Sequence, residues 1–263
     1  MSRGRPVRGQ NLTHQITHSL GVAIVTGVYS VDNPIPIEAD LSRQFNASRS
    51  ILREAVKMLT AKGLLGSRPK TGTRVEPEEN WNMLDPDVLG WLLERKFSPA
   101  LLAEFTEFRL TMEPGAASLA ARMAGAAEHR ALRDAIERMR AADKGDDDPL
   151  DSDIAFHVAV LRASRNRFYA QLTGFISTAL RISIRTTNRY KGMQANVADH
   201  EKVSDAIVAR QASTAGNAMR KIIQEVMDLI NTHEELQTGR RAAGNNDQSG
   251  NAPPVRRNQR FRQ

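Results

Sequence analysis

The segment from Pro36 to Val75 limits the possible folds of this chain more than any other stretch. Glu38 to Phe45 reads as a short helix, Asn46-Ala47 supplies a turn, and Ser48 is placed to cap a second helix running to about Lys62. In that second helix Leu52, Val56 and Leu59 share one face, while Arg49, Arg53 and Lys57 follow each other at i, i+4 and i+8 on the other. Gly63 suits the left-handed conformation that ends a helix. Leu64-Leu65, a turn at Pro69-Lys70-Thr71-Gly72 and Thr73-Arg74-Val75 then read as a small hairpin. A preceding helix over 11–28, with Leu12, Ile16, Leu20 and Ile24 at helical spacing, completes three helices and a wing. The expected unit is a winged helix-turn-helix.

Charge separates this unit from the rest. Residues 1–76 hold 11 Lys/Arg against 5 Asp/Glu, residues 77–238 hold 20 against 24, and residues 239–263 hold 6 against 1. A basic head on an acidic body implies that the head meets a polyanion, with double-stranded DNA the expected partner. A helix laid in the major groove reads bases from its N-terminal end, where the arginine fork matches the two acceptors of guanine. Arg49 and Arg53 are best placed for this, with Ser48 and Ser50 beside them. Arg43, Lys57, Lys70 and Arg74 suit phosphate contacts, and Gly72 lets the wing backbone approach the duplex. The competing reading is a solvated cationic helix face.

The chain of 263 residues suits two modest domains, and its 40% hydrophobic content is enough for a core. No apolar run is long enough to cross a bilayer, and the basic N-terminus has no apolar stretch behind it. There are no cysteines, which excludes disulfides and thiolate zinc sites. A cytoplasmic protein is the simplest expectation. Asp85-Pro86 and Ser98-Pro99 each open a helix with a capping residue and a proline. From there to Gln237 the pattern is helical, with breaks expected near Pro114, Ala127, 144–150, 165–166, 190–196 and 211–213. The fold class is therefore mainly α: an N-terminal winged helix-turn-helix (1–77), then an antiparallel helical bundle with a linker helix (78–238). The Gly-, Asn-, Gln-, Pro- and Arg-rich segment 239–263 reads as a disordered basic tail.

The body holds one constellation with chemical meaning. Asp153 and His157 lie four apart beside the apolar stripe of Ile154, Val158 and Leu161, so the pair points inward. A buried Asp and His need a partner, a ligand or a hydrogen bond. His200, at the start of another helix, could converge on them; a hydrogen-bonded structural pair is the plainer reading. Arg109 and Glu113 are also four apart and could form an internal ion pair. Asn166 could contact a ligand or cap the next helix. Arg181, Arg185 and Arg189 read as a solvated stripe, and His14, His18, His129 and His233 as surface or packing residues.

Ser48-Arg49 followed by Arg53-Glu54-Ala55 resembles the motif that opens the recognition helix of GntR-superfamily transcription regulators. One departure stands out: the family's Ser-Glu-Arg before the second helix reads Ile37-Glu38-Ala39 here. Residues 85–237 resemble the all-helical ligand-binding domain of the FadR subfamily. The matching positions are Arg109-x-x-x-Glu113-Pro114, Asp153-x-x-Phe156-His157, Ser164-x-Asn166, His200 and Ala218-Met219-Arg220. The resemblance implies a homodimeric repressor that binds a palindromic operator and is released by a carboxylate effector. It implies a divalent metal, zinc or similar, held by Asp153, His157 and His200, with Ile222 where members usually carry a third histidine. It implies an effector site formed by Arg109, Glu113 and Asn166, with Arg109 facing a cavity. The run Trp81 to Trp91 resembles the linker of members that respond to sugar acids. Two other classes stay open at this point. One is a metal-dependent enzyme on a DNA-binding head, with water activated at Asp153, His157 and His200. The other is a sequence-neutral architectural protein using the basic head and tail.

Overall fold

A computed structural model describes residues 8–68, 72–95, 99–191 and 195–247. Pro69, Lys70, Thr71 and Ser98 lie outside the described residues, as do the side chains of Arg185 and Arg189. The head consists of α1 (Arg8–Val25), α2 (Glu38–Phe45), α3 (Arg49–Ala61) and the strands β1 (Leu65–Arg68) and β2 (Gly72–Val75). The strands pair antiparallel, Leu65 opposite Val75 and Arg68 opposite Gly72. Each boundary has a local cause. Asn46 takes the left-handed conformation between α2 and α3, and the Ser48 hydroxyl accepts from the Ile51 N–H as the cap of α3. Gly63 and Gly72 both have φ of +78°, the region where a Cβ is costly. Ile16, Leu20, Ile24, Leu41, Leu52, Leu59, Leu64, Leu65 and Val75 close over a single core.

The body contains α4 (Pro86–Arg95), α5 (Pro99–Met123), α6 (Ala126–Asp143), α7 (Pro149–Ala163), α8 (Arg167–Gln171), α9 (Thr173–Lys191), α10 (Val197–Val208) and α11 (Ala212–Asp247). Helix α5 lies along α11, and α7 packs between α5, α6 and α9. At the α5–α11 seam Gly216 lies against Ser118 and Pro114 of α5. A Cβ at Gly216 would come within 2.3 Å of the Ser118 hydroxyl and 3.1 Å of the Pro114 carbonyl oxygen, so a larger residue there requires Ser118 to move.

Two expectations are corrected here. Pro114 does not break the chain but lies inside α5. Proline removes one N–H and strands the carbonyl one turn back. That carbonyl is Leu110 O, and Arg220 Nη1 of α11 donates to it at 3.3 Å. The segment from Gly239, expected to be disordered, continues α11 as far as Asp247. Arg240, Arg241, Ala242 and Ala243 favour helix, and the two glycines, Gly239 and Gly244, cost only about 1 kcal/mol each against alanine. Residues 248–263 lie outside the described residues.

Helix α4 joins head and body. Its Val88, Trp91 and Leu92 belong to the head core, whereas Leu89 packs with Phe175 and Ile176 of α9 in the body core. Trp91 lies against Gly21, where any Cβ would collide with the ring, and its Nε1–H donates to His18 Nδ1 at 2.8 Å. His18 thus has a partner 73 residues away, which local pattern does not reveal. The Asp85 carboxylate caps α4 through the N–H groups of Asp87 and Val88. It also receives Lys62 from the end of α3 at 2.8 Å, with Asp87 at 2.7 Å from the same ammonium. Burial opposes the charge on Lys62, but these carboxylates outweigh it and raise its pKa.

Gly63→Ala tests how rigidly the head meets the linker. Gly63 and Gly145 both have positive φ, so alanine costs either one roughly 1–2 kcal/mol. A Cβ at Gly63 would also lie 2.2 Å from Asn80 O, whereas at Gly145 it meets nothing within 4 Å. Denaturant unfolding should show a clearly larger loss for Gly63→Ala than for Gly145→Ala.

Candidate functional site

The first candidate surface is the outer face of α3. Arg49, Ser50, Arg53 and Lys57 are all exposed there, as are Ser48 and Arg43. Most of these cations have an acidic neighbour: Arg43 with Asp40 at 2.5 Å, Arg53 with Glu38 at 3.3 Å, and Lys57 with Glu54 at 3.5 Å. Glu38 stands beside the position of the missing family arginine, where it holds Arg53. On the wing, Arg74 makes two bonds to Glu76, at 2.9 and 3.2 Å. Exposed pairs of this kind are worth about 0–1 kcal/mol, so phosphates can displace them at small cost. Arg49 has no ion pair among the described residues, and it occupies the first turn of the helix.

The second site is inside the body. Asp153 and His157 of α7 and His200 of α10 are all buried, and one ligand atom of each lies within 4.8 Å of the others. Asp153 Oδ1 is 3.1 Å from His200 Nε2 and 3.5 Å from His157 Nε2. Yet Asp153 Oδ1 and His200 Nε2 make no hydrogen bond of acceptable geometry. The other ring nitrogens are engaged: His157 Nδ1 with Glu113 Oε2 at 2.6 Å, and His200 Nδ1 with the Asn196 carbonyl at 2.8 Å. With acceptors at both Nδ1 atoms, the neutral form of each ring keeps its proton there and turns its Nε2 lone pair toward Asp153. Buried donor atoms that converge without bonding one another fit a cation between them. Asp153, His157 and His200 would hold a divalent metal, which would supply a Lewis-acid point for an oxygen ligand. Ile222 packs against the neighbouring core cluster and offers no donor.

Arg109 borders this cluster. Its Nε donates to Glu113 Oε1 at 2.5 Å, and Nη2 lies 3.4 Å from His157 Nε2. Arg109 and Glu113 are 2% and 1% exposed, so the internal ion pair weighed from the sequence does form and is enclosed. Burial opposes the charge on Glu113, but Arg109 and His157 outweigh it and hold its pKa at about 2. Burial likewise opposes the charge on His157, while Glu113 and Asp153 raise its pKa to about 9. Asp153 is held well below the usual carboxylate range by the two imidazoles, against the cost of burial.

A shallow pocket partly open to solvent, lined by Met139, Ala142, Asp143, Pro149, Ser152, Ala195 and Val197, does not include Arg109. Nor does Asn166 join the cluster. Its side chain caps α8 by accepting from the Phe168 N–H at 2.9 Å, and no hydrogen bond among the described residues links it to Asp153, His157 or His200. The cap that the sequence allowed for Asn166 does form. Arg181 pairs with Asp151 at 2.7 Å.

Comparison with known proteins identifies both the head and the body. Residues 12–75 match the bacterial regulatory proteins of the gntR family, and residues 104–225 match the FCD domain. The chain is 34% identical over 217 residues to the galactonate operon transcriptional repressor of Escherichia coli K12, covering 81% of this chain and 94% of that protein. The chain belongs to the GntR family. It is a FadR-type GntR regulator, with a helix-turn-helix head and an FCD body. The HTH-type transcriptional regulator LutR of Bacillus subtilis is 28% identical over 201 residues, covering 74% of this chain and 90% of LutR. A solved structure of Lar, from Listeria monocytogenes, shares the fold with a TM-score of 0.54 at 15% identity, covering 88% of this chain and 99% of that one. The family and these relatives are transcription regulators, so this GntR protein is not an enzyme. No helix among the described residues is long and apolar enough to cross a membrane.

The buried cluster yields a direct prediction. Zinc chloride should raise the melting temperature of the full chain, by the equivalent of about 2.7 kcal/mol at a hundredfold excess over its dissociation constant. The rise should vanish in His200→Ala. An equal rise in both proteins, measured by thermal unfolding, would remove His200 from the site.

Proposed function

We propose that this GntR regulator is a homodimeric, cytoplasmic repressor that leaves a palindromic operator when a sugar acid or related carboxylate binds its body. Two heads (1–77) occupy the half-sites, and the bodies (78–238) bind the effector and a divalent metal. The observation that carries this reading is the contact of Arg109 with the Asp153–His157–His200 cluster. With a divalent metal bound and both histidines neutral, Arg109, Glu113, Asp153 and the metal would leave one positive charge uncompensated. A single carboxylate neutralises it, through the metal and through the two-donor edge of a guanidinium. Buried excess charge is costly, so the site favours a monoanion over a neutral sugar. The aldonate class follows from likeness to the galactonate operon repressor.

Communication with the head runs through α4, which packs on α1 and on α9. An effector shifts operator occupancy only to the degree that it binds one arrangement of the heads better than the other. Operator binding must then weaken effector binding by the same factor. On the DNA side, Arg49 and Arg53 read bases, with Ser48 and Ser50 beside them, while Arg43, Lys57, Lys70 and Arg74 hold phosphates.

The test is a gel shift with DNA upstream of the protein's own and neighbouring genes, with and without a panel of aldonic and uronic acids. A specific shift released by one acid supports the reading, and a shift that no acid alters removes the sugar-acid effector. Two variants separate the sites. Arg49→Ala should lose sequence preference, about 1–3 kcal/mol for a bidentate base contact. Arg109→Ala should bind the operator yet resist release. Release of that variant at wild-type acid concentrations would take Arg109 out of the effector site.

A further inference from the structure

We infer that Glu113 is the positioning residue of the buried centre, aiming the metal-facing nitrogen of His157 while holding the anion-binding arginine beside it. The inference rests on the metal reading of Asp153, His157 and His200. The two histidines present the same nitrogen to Asp153, but different groups aim them. His200 is fixed by a backbone carbonyl, that of Asn196, which no side-chain change can remove. His157 is fixed by a side chain, Glu113 Oε2 at 2.6 Å. An acceptor at Nδ1 requires the proton there in the neutral ring, and this leaves the Nε2 lone pair toward Asp153. The second Glu113 oxygen takes the Arg109 Nε–H, so its two lone-pair directions serve two functional groups on two helices. At 1% exposure no water can replace either bond. An i,i+4 ion pair serving only to stabilise α5 needs no contact with α7. The bond to His157, 44 residues away, is the feature that such a role leaves unexplained.

Outer acceptors of this kind change metal affinity by roughly 10–100-fold when removed. The experiment titrates zinc into the full chain against a chromophoric chelator, for wild type, Glu113→Gln and the double variant Arg109→Met/Glu113→Gln. The cobalt-loaded proteins are compared by their visible absorption. Glutamine keeps the volume of Glu113 but cannot serve both donors. Its oxygen reaches one, and its amide N–H groups face the other. The double variant strands no buried arginine, so it reports on the site even where the single variant folds poorly. The expected result is zinc binding weakened about 10–100-fold in both variants, with a shifted cobalt spectrum. Wild-type zinc affinity in Glu113→Gln, with only a lower melting temperature of the metal-free protein, would overturn the inference and leave Glu113 a packing partner of Arg109. Recovery of affinity in the double variant would also overturn it, because the unpaired arginine and not the lost acceptor would then weaken the metal. Failure of the wild-type chain itself to bind zinc would overturn the metal reading together with this one.

Discussion

An oxygen of Asp153 that sits between two imidazole nitrogens, buried and without a hydrogen bond, is the constraint around which the helical body is arranged. Burying a carboxylate costs several kcal/mol unless its charge and lone pairs are answered. Here the answer comes from three helices. Helix α7 supplies Asp153 and His157, α10 supplies His200, and α5 supplies Glu113 and Arg109. The acceptors at each Nδ1 leave little rotational freedom in the rings, and Phe156 packs edge-on against His200 with ring centres 5.0 Å apart. A cation held at that point would add its binding free energy to the stability of the body.

Helix α4 is shared between head and body, and Leu101 of α5 also packs on the head core. Val88, Trp91 and Leu92 complete the head core, Leu89 belongs to the body core, and these residues are neighbours on α4. A displacement of α9 therefore reaches α1 without crossing a flexible segment. The Lys62 bridge to Asp85 and Asp87 ties the end of the recognition helix to the start of the same strut. Packed cores have discrete arrangements and do not deform continuously, so small shifts in the body can become a choice between head positions.

Much of this was legible in the sequence because it is local. Ser48, Asp85-Pro86, Gly63 and Gly72 act within a few residues of themselves, and the apolar period of α1 and α3 follows from burial on one side. The fate of Pro114 was not legible, because the donor that satisfies Leu110 O comes from Arg220, 110 residues further on. The helix past Gly239 was missed because composition outweighed the helix-favouring Arg-Arg-Ala-Ala run. The candidate site was half visible. Spacing placed Asp153 with His157 and Arg109 with Glu113, but spacing within a helix says nothing about contact between helices. That Glu113 bridges the two pairs is a fact of tertiary packing.

The decisive measurement is anomalous diffraction at the zinc edge from crystals of the full chain grown with zinc chloride. One peak bonded to Asp153 Oδ1, His157 Nε2 and His200 Nε2, each at about 2.0–2.2 Å, is expected. Ordered density for those three side chains with no peak between them would contradict a ligand role for the cluster and reduce it to a structural ion pair.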